Sequence, residues 1–256
     1  MNVIVLLAGI LFALMAIIGG KKGIRSFIAL FLNFGVIIMA VFFMNSPEIN
    51  PIFITLIACI FISCINLFYI NEVNWTTKTS FYATILTTIV LVIFINIFTN
   101  NAMIQGFGEE ETEEMDMFSF HVGLDFVKIA VSVIIMSTIG AITDAAIAIA
   151  SPMREMHIHH PNIERKELFH FGLSIGGDIL GTSTNTLFFA FFGSYLALLI
   201  WFKDLSYSYG EIFNSKVFSN ELITICCSAI GVTLVIPVTA WITAFFLTRK
   251  KTDIKS

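Results

Sequence analysis

Seven stretches of about twenty apolar residues, each parted from the next by a short polar interruption, leave this chain few ways to fold. A helix rises 1.5 Å per residue, so a run of about 20 apolar residues matches the roughly 30 Å hydrocarbon core of a bilayer. The runs fall near residues 2–20, 26–44, 51–70, 81–99, 122–150, 171–202 and 221–247. With 57% hydrophobic and only 12% charged residues, the chain cannot cover a globular surface with charge. Soluble domains carry roughly 25%. The expected fold is all-α, a single polytopic transmembrane bundle covering residues 1–256, with the lipid bilayer as its first partner.

The interruptions alternate in character. Lys21, Lys22, Arg25, Lys78, Arg154, Arg165, Lys166, Arg249, Lys250, Lys251 and Lys255 fall at one set of junctions, which takes eleven of the fourteen basic residues. The opposite set holds only Lys203 and Lys216, and it includes the acidic run Glu109 to Asp116. Because Lys and Arg are retained on the cytoplasmic side, the N-terminus is expected outside and the C-terminus inside. An acidic run of this kind reads first as a solvated segment. No basic residue precedes the first apolar run, which is therefore expected to stay as a span rather than be removed as a signal peptide.

Several function classes drop out. The basic residues form short clusters with no aromatic-interleaved patch, so no nucleic-acid partner is expected. Cys59, Cys64, Cys226 and Cys227 sit inside apolar runs and read as small buried hydrophobes. Four of the five histidines, His157, His159, His160 and His170, lie between the fifth and sixth runs, but without the spacing of a catalytic zinc motif. A solvated loop is the expectation there, with no metal and no cofactor. There is no nucleotide-binding loop or nucleophile elbow, and neither intramembrane Asp lies in the setting of an aspartyl intramembrane protease. A non-catalytic protein is expected.

Polar residues are concentrated in the fifth and sixth runs. Asn33, Asn66 and Asn96 in the earlier runs read as interhelical hydrogen-bonding groups. In the fifth, Ser137, Gly140, Ala141, Asp144 and Ala148 share one helical face, and the small residues there would admit a neighbouring backbone. Asp125 and Lys128, three apart near the outer surface, can pair along the helix. In the sixth, Ser174, Asp178, Thr182 and Asn185 recur at helical spacing as a polar stripe. Gly172 with Gly176 and Gly177 with Gly181 have the small-xxx-small spacing of close helix contacts, and the Gly176-Gly177 pair would permit a kink. An ionised Asp in a span costs about 2.5–3.5 kcal/mol on insertion scales, so Asp144 and Asp178 should face a cavity, a partner or each other. Both enter from the cytoplasmic side, which would set them in one layer. A transporter or permease for an ion or small solute is one expectation, although no internal repeat of the transporter kind is legible. A non-catalytic scaffold or subunit is the other.

The two polar stretches, Gly140-Ala-Ile-Thr-Asp144-Ala-Ala-Ile-Ala-Ile-Ala-Ser151 and Ile175-Gly-Gly-Asp178-Ile-Leu-Gly181-Thr182-Ser-Thr-Asn185-Thr-Leu187, resemble the YibE/F family of bacterial multi-span membrane proteins. The acidic segment after the fourth run is also similar. One departure is Gly177, which stands where many members carry a basic residue before the Asp. The resemblance implies a multi-pass protein of the bacterial cytoplasmic membrane, and a homologous partner subunit or a homo-oligomer. It supplies no substrate.

Overall fold

The computed structural model describes residues 3–46, 48–102 and 125–249. Every element among them is helical: α1 (Val3–Met44), α2 (Pro51–Cys64), α3 (Trp75–Ala102), α4 (Phe126–His159), α5 (Arg165–Ser194), α6 (Leu196–Asp204), α7 (Tyr209–Asn214) and α8 (Lys216–Arg249). Backbone amides cannot reach water in hydrocarbon, and an α-helix satisfies them all within one segment. The acidic run Glu109 to Asp116 and the terminal Lys250, Lys251 and Lys255 lie outside the described residues.

α1 is two helices rather than one. Gly20 takes φ 54° and ψ −134° within its 42 residues, a conformation open essentially to glycine alone. The rings of Phe12 and Phe27 then meet at 4.9 Å between centroids. Along a straight helix those residues would stand about 22 Å apart. The chain therefore folds back at Gly20, and Gly23 packs against the backbone of Met15 so closely that no Cβ would fit.

The returning half of α1 runs antiparallel to α2. Asn33 Nδ2 donates to Asn66 Oδ1 at 2.8 Å, and Arg25 pairs with Glu72 at the same distance at the end of the bundle. A π-helical turn, Ile65–Tyr69, extends α2 and carries Asn66. α2 starts with Asn50 as N-cap and Pro51 in the first turn, which suits a position lacking an intrahelical amide partner.

The centre is built from α3, α4 and α8. Val131, Ile134, Ile135, Ile142, Ala146, Leu91, Ile95, Val232 and Val235 interlock there with almost no exposed surface. α8 takes α5 on its other side, where Ile149, Met153, Leu168, Ile236 and Ala240 form a second cluster. Tyr82 of α3 stacks on Phe246 of α8, and Leu91 lies over Gly231, so these two helices are antiparallel. Arg165 at the start of α5 donates to Thr248 Oγ1 at 3.0 Å and lies over the Phe245 ring. Arg25, Lys78, Arg154 and Arg165 thereby gather at one end of the bundle, called the basic end below.

Several boundaries differ from the apolar runs. α4 continues through Pro152 to His159, so His157 and His159 belong to its last turn instead of a loop. α5 begins at Arg165 and passes straight through Gly176 and Gly177 without a break. The bend comes later, at Tyr195, where α5 and α6 meet at 52°. There Phe191, Phe202 and Phe218 pack together, and the Tyr195 hydroxyl donates to Glu221 Oε1 at 2.9 Å. Local glycine flexibility was outweighed by the packing of Gly172 and Gly176 against α8.

Candidate functional site

The polar groups singled out from the sequence lie on α4 and α5. On α4 the buried side carries Ile142, Thr143, Ala145, Ala146, Ile149 and Ala150, all turned toward α3 and α8. At 100° per residue this pattern forces Ser137, Asp144 and Ala148 to the opposite side, and all three are exposed. Nothing lies within 4 Å of where a Cβ on Gly140 would stand. Of the small-residue face of α4, only Ala141, at its edge, packs against the central cluster, and Ser137, Asp144 and Ala148 face outward. The packing face of α4 is the β-branched and alanine one.

α5 divides in the same way. Gly172 and Gly176 are buried, with Gly172 against the Met153 and Ala240 side chains and Gly176 against Ile236. A Cβ at Gly172 would stand 2.6 Å from Met153 Sδ, closer than real contacts allow. Gly177 and Gly181 have open space instead, so this second pair makes no helix contact within the chain. Ser174, Gly177, Asp178, Gly181, Thr182 and Asn185 are exposed together, one stripe along the outer side of α5. The Thr182 hydroxyl donates to its own helix at Ile179 O, 3.0 Å away, and Thr186 donates to Thr182 O. Among the described residues no hydrogen bond or ion pair reaches Asp144, Asp178 or Asn185.

Chemically, these faces offer two carboxyl groups, one carboxamide and several hydroxyls, with glycines that let another backbone approach. They line neither of two hollows formed by the described residues. A groove of about 500 Å³ lies elsewhere, between the returning half of α1 and α2, lined by apolar side chains such as Phe31, Met39 and Phe61. A second hollow of about 430 Å³ is formed by Met156, His159, His160, Asn162 and Glu167 at the basic end. No group of three or more His, Cys, Asp or Glu side chains converges as metal ligands among the described residues. Asp125 and Lys128 do pair, at 3.0 Å, while Asp125 also caps α4 by accepting from the amides of Val127 and Lys128.

Sequence reading missed one group of polar residues. Ser63, Ser80, Thr84, Thr87, Thr239 and Thr243 are fully buried. Ser and Thr are so common in apolar helices, where they bond back to their own carbonyls, that no local signal separates these from the rest.

Long apolar helices packed around an aliphatic centre, with large hydrophobic side chains turned outward, define an integral membrane protein of the α-helical class. Five of the described helices are long and apolar enough to cross a bilayer, and α5 with α6 makes a sixth, bent one. Residues 7–249 match the model of the YibE/F-like protein family, and the chain belongs to that family. No curated protein and no solved structure matches it.

Proposed function

We propose that the protein is one subunit of a permease for an ion or small solute, in which the exposed faces of α4 and α5 meet a second subunit and form the polar path with it. The observation that carries this reading is the exposure of Asp144, Asp178 and Asn185 on the outer side of the bundle, without partners among the described residues. At hydrocarbon depth a carboxyl group facing lipid is costly, and such residues face a bundle interior or an aqueous cavity. A neighbour of the same fold seated on Gly177 and Gly181 supplies both. The single-subunit transport site expected from the sequence has less support, since both carboxyl groups are exposed on the outer side of the bundle.

Topology belongs to the same proposal. Counting the two arms of α1 as separate spans, because they fold back at Gly20, and the bent α5–α6 pair as one, gives seven spans. The basic end then faces the cytoplasm, with the N-terminus outside and the C-terminus inside, in a bacterial cytoplasmic membrane. No covalent chemistry is assigned to the chain.

Thr182→Cys and Asn185→Cys in a cysteine-free background test the interface. Expected is cross-linking between subunits in membranes, together with proteoliposome flux of a small ion that Asp144→Asn or Asp178→Asn abolishes without loss of the folded protein. Absence of intersubunit cross-links at both positions would remove the shared path. Flux unaffected by either Asn variant would leave the carboxyl groups architectural and favour a scaffold.

A further inference from the structure

Aromatic residues are sorted by kind along the depth of the bundle. The three tryptophans and five tyrosines of the chain all stand toward its two ends, whereas phenylalanines such as Phe34 and Phe61 also stand in the middle. Tyr69, Trp75, Tyr82 and Trp241 belong to the basic end. Trp75 has the Lys78 ammonium over its ring at 5.6 Å, and Tyr82 stacks on Phe246. Trp241 lies about 10 Å in from Thr248, the residue that Arg165 reaches. Tyr195, Trp201, Tyr207 and Tyr209 belong to the opposite end, where Tyr195 donates to Glu221. Trp241 and Glu221 stand about 30 Å apart along α8, the thickness of the hydrocarbon core, and no charged residue lies between them. Indole and phenol rings join an apolar body to a polar N–H or O–H, so they favour the level where acyl chains meet headgroups. The two aromatic levels therefore mark where the bilayer begins and ends on this bundle.

Those levels fix where α6 and α7 sit. Gly172 of α5 meets Ala240, the neighbour of Trp241, and from there α5 runs about 33 Å further to Ser194. It has crossed the hydrocarbon before the bend at Tyr195. α6 leaves at 52°, so its nine residues carry the chain about 8 Å further outward and about 11 Å sideways. The polar layer on either side of the hydrocarbon is about 5–8 Å thick, which is the depth that α6 climbs. Leu196, Ile200 and Trp201 of α6, with Leu205 after it, are exposed, while Phe202 is buried against Phe191 and Phe218. At 100° per residue the four exposed side chains spread over about half the circumference of the helix. One partner helix covers less than that, and lipid wraps it. On α7, Tyr209 and Phe213 are four apart on one face and exposed, Tyr209 by 85%, while Ile212 joins the phenylalanine cluster. Lys203 and Lys216 flank the segment and make no ion pair among the described residues. Water would not favour so many exposed apolar rings, and hydrocarbon would not favour Lys203, Asp204 and Glu211.

We propose that α6 and α7 form an anchor lying in the headgroup layer of the leaflet opposite the basic end, with phospholipid as its partner. Leu196 and Ile200 stand at the edge of the acyl chains. The Trp201 indole N–H and the Tyr209 hydroxyl donate to ester carbonyls, and Lys203 and Lys216 meet phosphates. α5 alone then completes the crossing counted above for the bent pair, and that span ends at Ser194. The placement holds for either orientation of the chain and needs no second subunit, so it stands or falls separately from the permease reading.

Two measurements on the full-length protein in phosphatidylcholine nanodiscs decide it. Trp75→Phe with Trp241→Phe leaves Trp201 as the only indole. Its fluorescence should be quenched at least about twofold more by lipid bromines near the glycerol end of the acyl chains than by bromines near the terminal methyls. Aqueous iodide should quench it only weakly. Stronger quenching from the chain ends would place α6 in hydrocarbon as a continued span, and quenching by iodide alone would place it in water. Quenching by none of these probes would mean that a protein neighbour covers Trp201. Each of these three results overturns the anchor. Nitroxides at Leu196→Cys and Tyr209→Cys, with the four native cysteines replaced by alanine, read the same depth without the tryptophan changes. Collision with dissolved oxygen should exceed collision with a water-soluble nickel chelate at position 196, and the two should be comparable at position 209. A chelate that dominates at both positions also overturns the proposal.

Discussion

At the scale of single residues, glycines two positions or fewer apart have opposite jobs. Gly176 holds α5 against Ile236, and adding a Cβ there forces that side chain aside. Overpacking of this kind costs about 1–3 kcal/mol, so Gly176→Ala should lower Tm clearly. Gly177, one residue on, meets nothing within 4 Å. Replacing glycine by alanine in a helix gains up to about 1 kcal/mol of propensity, so Gly177→Ala should hold or raise the thermal stability of the isolated subunit. In membranes the same substitution should weaken association, read as a lower yield of intersubunit cross-links. A fall in Tm for Gly177→Ala matching that for Gly176→Ala would contradict the division of α5 into an inner and an outer face. The small-xxx-small spacing of both pairs was legible in the sequence, but which pair packs inside was not. Spacing fixes which residues share a face; only the position of α8 decides what the face meets.

At the scale of elements, caps and reversals can be tested directly. Asp125 accepts from Lys128 and from two amides at the start of α4, and the Lys128 ammonium group holds its carboxyl below the ordinary value of 3.8. A carboxyl whose folded pKa is depressed contributes stability above its unfolded pKa and loses it as pH falls through the folded one. Asp125→Ala should therefore cost about 1 kcal/mol near neutral pH, mostly as a lost N-cap, with little added for the exposed ion pair. The gap in Tm between wild type and variant should narrow below pH of about 3.8. A gap that widens on acidification would contradict the capping role. The reversal at Gly20 has its own test: Phe12→Cys with Phe27→Cys, otherwise cysteine-free, should join under mild oxidation within one chain. A straight α1 keeps these positions about 22 Å apart and cannot join them. The two apolar runs and the Lys21-Lys22 interruption were visible in the sequence. Helix propensity carries straight through them, and the break rests on one glycine in a conformation that only the folded hairpin requires.

At the scale of the whole molecule, the basic residues set the orientation to be measured. A single cysteine at position 162, beside the His159–Glu167 hollow of the basic end, should react with an impermeant reagent only after the membrane is permeabilised. Labelling from outside in intact cells would invert the proposed topology. The sequence by itself determined that the chain is an α-helical membrane protein, where its apolar runs lie, which ends of them share the basic residues, and its family. Those properties depend on composition and on periodicity along the chain, and lipid reads them one helix at a time. Only the tertiary structure decided that Asp144 and Asp178 lie on the outer side of the bundle, that the Gly177–Gly181 pair is left open, and that Ser63, Ser80, Thr84, Thr87, Thr239 and Thr243 are fully buried. A helix in hydrocarbon gains little from burying one apolar face over another, so its rotation about its own axis is not written in hydrophobic periodicity. That rotation is set by shape, by which knobs of α4 and α8 fit which hollows of α3 and α5, and shape exists only once the helices are together.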